Sequence, residues 1–384
     1  MKSYFQHTII LLILCASCSI ESSKQQNGQA IGHSQSVAVD ILHAENFTIQ
    51  KYEAFSLLTV SNAWKGTGKT FRYALLQKGE QLPDSIEVDE VVFVPIENLV
   101  CLSTTHIPYL DMLGVADKLK GFPNLDYIST PGVREHIDAG NVIDLGSENN
   151  PNLEKIMTLH PELVMAYGMP GGSDLAFKLQ QAGIPVVYNA DYMELSPLGR
   201  AEWIKFMAAF FNKISLADSL YNSVNHQYDS LQQLAAKTDK SPSVMSGIVY
   251  GDTWFLPAGE NYGARFFNDA NARYLWEDNP QTGYLELSFE AVYQKAHQAD
   301  YWVGVGTFNS LEALANADAR YQNFQAFQEG NVYSYLAKVG PKGGNEYFEL
   351  GYARPDIILA DLIKIFHPHL LPEHDLYFHQ KLKD

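Results

Sequence analysis

From Leu198 to Thr238 the chain contains no proline, and its only glycine is Gly199. Within that stretch, "LADSLYNSVNHQYDSLQQLAAK" places Leu216, Leu220, Val224, Leu231 and Leu234 at roughly helical spacing. No other part of the sequence offers so long a helix. Short apolar runs alternate with helix-like segments on both sides of it. Upstream lie "EVVFVPI", "LVCLS", "NVIDLG", "PNLEKIMTLHPELVMAYG" and "SDLAFKLQQAGIPVVYNA", where Gly183 stops a helix and Pro185 opens a strand. Downstream the alternation resumes at "VMSGIVYG" and runs through "FEAVYQKAHQA", "DYWVGVG", "NVYSYL" and "RPDIILADLIKIF". A βαβ rhythm implies a mainly parallel sheet covered by helices. The predicted fold is therefore α/β, with two βα lobes of mainly parallel sheet joined by one long rigid helix. The N-terminal lobe covers 38–213, the connecting helix 214–240 and the C-terminal lobe 241–384.

The first residues obey a different rule. Lys2 precedes an apolar run, Ile9–Leu14, that is too short to span a bilayer. A basic start, an apolar stretch and the small residues of "CASC" describe an export leader over 1–17. "CASC" also resembles the lipobox of bacterial lipoproteins, which implies cleavage before Cys18 and a lipid on its sulfur. An ordinary signal peptide cut nearby is the other reading. Residues 18–37 are Ser/Gln/Gly-rich and read as a flexible tether. Beyond Cys18 only Cys101 remains, so no internal disulfide and no cysteine metal site can form. The formal net charge of −17 repels nucleic acid and anionic headgroups. Attachment to a bacterial membrane, on its periplasmic side, is thus expected through the lipid rather than a basic patch.

"AWKGTGKT" (63–70) matches the loose phosphate-loop pattern. The following "FRYALLQKGEQLP" alternates like a strand, and the preceding "YEAFSLLTVSN" is strand-like too. The stretch therefore reads as a hairpin turn, with Gly66 and Gly68 supplying backbone freedom. The region 38–89 is expected to extend the sheet of the first lobe.

Two segments share one scheme. "NPNLEKIMTLHPELVMA" and "ELSFEAVYQKAHQADYWVGV" each open with a capping residue, Asn152 or Ser288, then an apolar residue, a glutamate (Glu154 or Glu290), a short helix and a buried strand. An acid in a first helical turn has an ordinary explanation, since it complements the helix dipole for about 0.3–1 kcal/mol. Matching glutamates in both halves invite a second one. Together with "STTHIPYLDMLG" (103–114) and "LQQAGIPVVY" (179–188), these marks resemble the substrate-binding lipoproteins of ABC importers for iron chelates and vitamin B12, the class III periplasmic binding proteins. The resemblance covers about residues 90–366. It implies a small-molecule metal chelate as ligand, and an ABC permease dimer with its ATPase as partner. It also implies that Glu154 and Glu290 dock into arginine pockets on the two permease subunits.

Ligands of open α/β lobes sit beyond the carboxyl ends of strands. The candidate contacts are Thr104, Thr105 and His106 after "LVCLS", Tyr167 and Met169 after "LVMAYG", Trp254, Tyr262 and Arg265 in the second lobe, and Asn345, Tyr347, Glu349 and Tyr352 in "GGNEYFELGYARPD". His106 can either ligate a metal or hydrogen-bond within its helical turn. Arg134, Arg265, Lys338 and Lys342 form no cluster in sequence, which favours a near-neutral chelate, a corrinoid or a hydroxamate-type iron complex, over a triscatecholate. In the B12-binding members an aromatic residue shortly precedes the first glutamate, but "GSENN" (146–150) stands there. Haem is a further option.

A metal-dependent enzyme on the same fold is the competing class. It requires clustered ligands or a nucleophile with its base. The twelve histidines are scattered, except in "HPHLLPEHDLYFH" (367–379), where prolines prevent a regular histidine face. No catalytic residue, cofactor or resident metal is expected.

Overall fold

The computed structural model describes residues 36–170 and 174–384. The leader, Cys18 and all but the end of the tether lie outside the described residues.

The breaker-free stretch forms two helices. Pro197–Ala209 starts at Ser196, whose hydroxyl accepts from the Gly199 N–H. Pro197 occupies the first turn, where a missing N–H costs no hydrogen bond. Ile214–Ala235 follows. Its buried residues Ile214, Ala217, Tyr221, Val224, Tyr228, Leu231 and Ala235 alternate in steps of three and four, one continuous stripe. The first four enter the core of the N-terminal lobe and the last three that of the C-terminal lobe. A single stiff element is thus packed into both halves. It stops at Ala235 rather than 240, and the Asn271 side-chain amide donates to the carbonyls of Ala235 and Thr238 there.

The N-terminal lobe carries five parallel strands in the order Val186–Tyr188, Leu163–Ala166, Leu99–Cys101, Leu119–Phe122, Ile143–Asp144. In the C-terminal lobe the order is Arg273–Tyr274, Ser243–Ser246, Tyr301–Val303, Val332–Ser334, Gln380–Lys381, parallel except for the last. Strands Ile248–Tyr250, Thr253–Pro257 and Tyr284–Leu287 form a small antiparallel sheet.

Residues 37–94 do not extend the first lobe's sheet, as the sequence suggested. They build a five-stranded sheet of their own: Val37–Ala38, Phe47–Lys51, Phe55–Val60, Phe71–Gln77 and Glu90–Val94. One face of it, with Phe47, Ile49, Leu58, Val60, Tyr73 and Leu75, joins the core of the lobe as a second layer. Residues 61–70 are a hairpin link, because Val60 pairs with Phe71 across antiparallel strands. Gly66 and Gly68 take positive φ there, and Lys69 pairs with Asp89 at 2.8 Å. No helix follows, so no helix N-terminus faces a phosphate.

The segment between the first two strands of this sheet straps onto helix Pro197–Ala209. The Glu202 carboxylate accepts from the N–H groups of Leu42, His43 and Ala44 and pairs with Lys205 at 2.9 Å. The Glu194 carboxylate accepts from Glu45 N–H, Asn46 N–H and Trp203 Nε1. Helix Pro197–Ala209 is consequently buried on every side, although it carries Arg200, Glu202 and Lys205. Buried charges of this kind persist only when paired and hydrogen-bonded.

Candidate ligand-binding cleft

Each parallel sheet reverses its winding once. In the N-terminal lobe the reversal lies between Leu99–Cys101 and Leu163–Ala166, so the loops leaving it are Leu102–His106 and Tyr167–Met169. In the C-terminal lobe it lies between Ser243–Ser246 and Tyr301–Val303. Such switch points open a crevice beyond the carboxyl ends of the strands. The C-terminal one is covered by Tyr335. A Cβ at Gly304 would fall 2.0 Å from the Tyr335 hydroxyl and 2.9 Å from Ser246 Oγ.

Arg200 sits at the centre of the aromatic cluster. Its guanidinium lies 3.6 Å from the ring centre of Tyr262 and 4.5 Å from that of Tyr352. Nε and Nη2 donate to the carbonyls of Glu194 and Tyr192, both at 3.0 Å, which fixes the plane of the fork. Tyr335 stacks on Tyr347 with centres 4.3 Å apart, and Phe348 meets Tyr347 edge-on. Tyr284, 68% exposed, lies within electrostatic reach of Arg200, Tyr262, Tyr335, Tyr347 and Tyr352. The Tyr262 hydroxyl is buried without a hydrogen-bond partner among the described residues. The result is one delocalised cation among flat aromatic faces, a surface suited to a large chelate carrying little net charge.

Asp191 faces this group from the N-terminal lobe. Burial pushes its carboxyl up to about 6, against the opposing pull of the Thr105 hydroxyl and Arg200. Its folded pKa thus exceeds the unfolded one. The stability from this proton is complete below about pH 4 and is lost as pH rises through 6. Asp191→Asn should remove that slope, and thermal scans of both proteins between pH 4.5 and pH 7 measure it.

The lobes touch through a buried carboxylate. Glu349 accepts from Ser129 N–H at 2.7 Å, Thr130 N–H at 2.9 Å and the Thr130 hydroxyl, just ahead of helix Pro131–Asp138. Lys342 and Asp126 pair at 3.4 Å beside it.

Of the residues singled out in the sequence, four stand in the group around Arg200: Thr105 hydrogen-bonds Asp191, Tyr347 stacks on Tyr335, and Tyr262 and Tyr352 face the guanidinium. Thr104 lies in the same loop as Thr105, and Tyr167 and Met169 flank a neighbouring pocket with Leu102 and Leu153. Two expectations, those for Trp254 and His106, are corrected. Trp254 is fully buried among Phe289, Trp302, Tyr321 and Phe324, with its Nε1 donating to the Ser246 carbonyl. It is core, not ligand surface. Arg265 pairs with Glu260 at 3.5 Å and lines a polar pocket with His43, Asp229 and Gln232. His106 is fully buried, and neither ring nitrogen has a partner. Burial lowers its pKa to about 3, and Ser103, not His106, caps the turn.

Arg200 escaped the sequence reading because it stands in helix Pro197–Ala209, ahead of the linker, rather than in a loop. Its signal was an arginine inside "LGRAEWIKFMAAFF", where an apolar helix must find it partners.

Glu154 and Glu290 occupy equivalent places. Asn152 Oδ1 accepts from Lys155 N–H, and Ser288 Oγ accepts from Ala291 N–H. Each glutamate is exposed in the first turn of its helix. Each helix precedes a parallel strand, so both N-termini lie at the carboxyl edges of their sheets, the edges that carry the cleft loops. Glu290 lies 3.5 Å from Arg320, which is held more closely by Asp318 at 2.7 Å.

Residues 99–339 match the family model described as periplasmic binding protein. The chain belongs to that family. This periplasmic binding protein is 28% identical over 313 residues to an uncharacterized lipoprotein of Methanocaldococcus jannaschii, covering 79% of this chain and 72% of the relative. It is 25% identical over 227 residues to an uncharacterized ABC transporter substrate-binding lipoprotein of Bacillus subtilis, covering 56% and 68%. A periplasmic binding protein from Veillonella parvula shares the fold with a TM-score of 0.57 at 15% identity, over 81% of this chain and 98% of the other. Haem, vitamin B12 and Fe3+–Desferal binding proteins of Vibrio cholerae superpose with TM-scores of 0.53, 0.51 and 0.52 at 18%, 15% and 20% identity. They cover 68%, 73% and 70% of this chain and 98%, 99% and 99% of their own.

Proposed function

We propose that this protein is the lipid-anchored capture component of an ABC importer and that its cargo is a metal chelate of low net charge, an iron–siderophore or a corrinoid. One observation carries the choice of cargo: among the described residues one cation, Arg200, is set between Tyr262 and Tyr352 at the junction of two lobes. A highly anionic complex asks for several such cations. Arg134 is held by Asp138 and Lys342 by Asp126, so neither adds a free charge. The cleft binds and orients without catalysing a reaction.

Glu154 and Glu290 are the permease-docking groups in this reading. They are exposed and sit on the cleft side of each lobe, where carboxylate–arginine pairs fix register on a two-fold partner. Cys18 carries the anchor, a view supported by the lipoprotein names of the relatives. The linker stripe packs into both cores, so the lobes can move only slightly. Release therefore falls to the permease, which must part the Glu349 contact.

Calorimetric titration of the purified protein with ferrioxamine B, cyanocobalamin, haemin and a ferric triscatecholate tests the cargo. Tight binding of the hydroxamate or the corrinoid is expected. Binding of the triscatecholate alone contradicts the charge argument, and binding of haemin alone moves the cargo to a porphyrin.

A further inference from the structure

The phosphate-loop lookalike of the extra sheet has no role in the reading above, yet it does not hang free. It packs on the loop that leaves the N-terminal switch point. A Cβ at Gly168 would lie 2.2 Å from Trp64 Cε3 and 2.6 Å from the Ala63 carbonyl oxygen, so only glycine permits this approach. The Tyr192 hydroxyl lies 3.2 Å from the Ala63 carbonyl and 2.7 Å from the Gly168 carbonyl, bridging the two loops. The Tyr192 carbonyl in turn receives Arg200 Nη2. Trp64 also meets Tyr188, at the carboxyl end of its strand, with ring centres 5.4 Å apart. The chain has five tryptophans, of which Trp203, Trp254, Trp276 and Trp302 are buried and Trp64 is the partly open one.

We infer that the Ala63–Gly68 turn is an added wall of the ligand cleft, and that Trp64 is a positioning residue holding the Tyr167–Met169 loop against a bound chelate. The inference rests on the chelate-binding reading. It gives the sheet formed by residues 37–94 a task beyond packing, since the sheet carries an indole to the mouth of the switch point. A flat aromatic buttress there favours broad, weakly polar ligands over compact charged ones.

The test uses whichever of ferrioxamine B, cyanocobalamin and haemin binds the unaltered protein. Trp64→Ala should weaken that binding by about tenfold, because a loop left loose must be ordered each time the ligand binds. Gly168→Ala should weaken it comparably by pushing the indole away, whereas Trp64→Phe should restore most of the affinity. Hydrogen exchange at residues 167–169 of the unliganded Trp64→Ala protein should accelerate while the linker helix is unchanged. Full affinity in both alanine variants overturns the inference and leaves the cargo reading intact. A loss that merely tracks a lowered thermal midpoint, with no rescue by phenylalanine, also overturns it. If the unaltered protein binds none of the three probes, the cargo reading fails first and this inference falls with it.

Discussion

Arg200→Ala is expected to weaken chelate binding by about a hundredfold, since removing one buried, hydrogen-bonded charge partner from a site typically costs roughly 2–5 kcal/mol. The geometry explains the size. The guanidinium is held by two carbonyl oxygens and faces two tyrosine rings, so it is oriented before any ligand arrives. Arg200→Lys should recover only part of the loss. An ammonium keeps the charge but cannot use the planar fork against both carbonyls and both rings. The substitution also frees the carbonyls of Glu194 and Tyr192, so some stability will be lost with it. Calorimetry well below the thermal midpoint separates the two effects. An Arg200→Ala protein that binds like the parent would remove the cation from the account.

Reversing Glu154 and Glu290 to arginine together should abolish uptake in cells and leave chelate affinity unchanged. Both side chains are exposed, and exposed substitutions of this kind usually change stability by about 0.5 kcal/mol or less. Folding is therefore expected to survive. At position 290 the change also sets two arginines against each other, because Arg320 stands 3.5 Å from Glu290. That repulsion is solvent-screened and small. Against permease arginines the reversal turns attraction into repulsion at two points of one interface. Uptake of radiolabelled chelate by cells carrying the variant measures it. Normal uptake at normal expression contradicts the docking role.

Much of this architecture is legible in the residues because it follows from local rules. The absence of breakers after Leu198 announces helix, but of the leucine and valine positions that suggest its face only Val224 and Leu231 are buried: Leu216 is exposed, and Ala217, Tyr221 and Tyr228 fill the stripe instead. The hairpin at 61–70 follows from alternation on both sides of a glycine-rich turn. Asn152 and Ser288 mark their helices as capping residues do. What escaped is what distant segments impose. Nothing near "LGRAEWIKF" says that residues 42–46 will fold over it and leave Glu202 and Lys205 buried together. Without that strap, Arg200 reads as one more solvated charge. Trp254 reads as loop surface until Trp302, Tyr321 and Phe324 arrive from later in the chain to enclose it. The separate sheet of 37–94 was hidden for a related reason: strand propensity says which residues are extended, not which sheet they join.

The central claim is that the chelate sits between the lobes at the paired switch points. Hydrogen exchange with and without saturating chelate locates it directly. The account predicts slowed exchange in segments 103–106, 167–169, 191–200, 262–266, 304–306 and 345–352, on both lobes at once. Protection confined to one lobe, or to the polar pocket around Arg265, would contradict it.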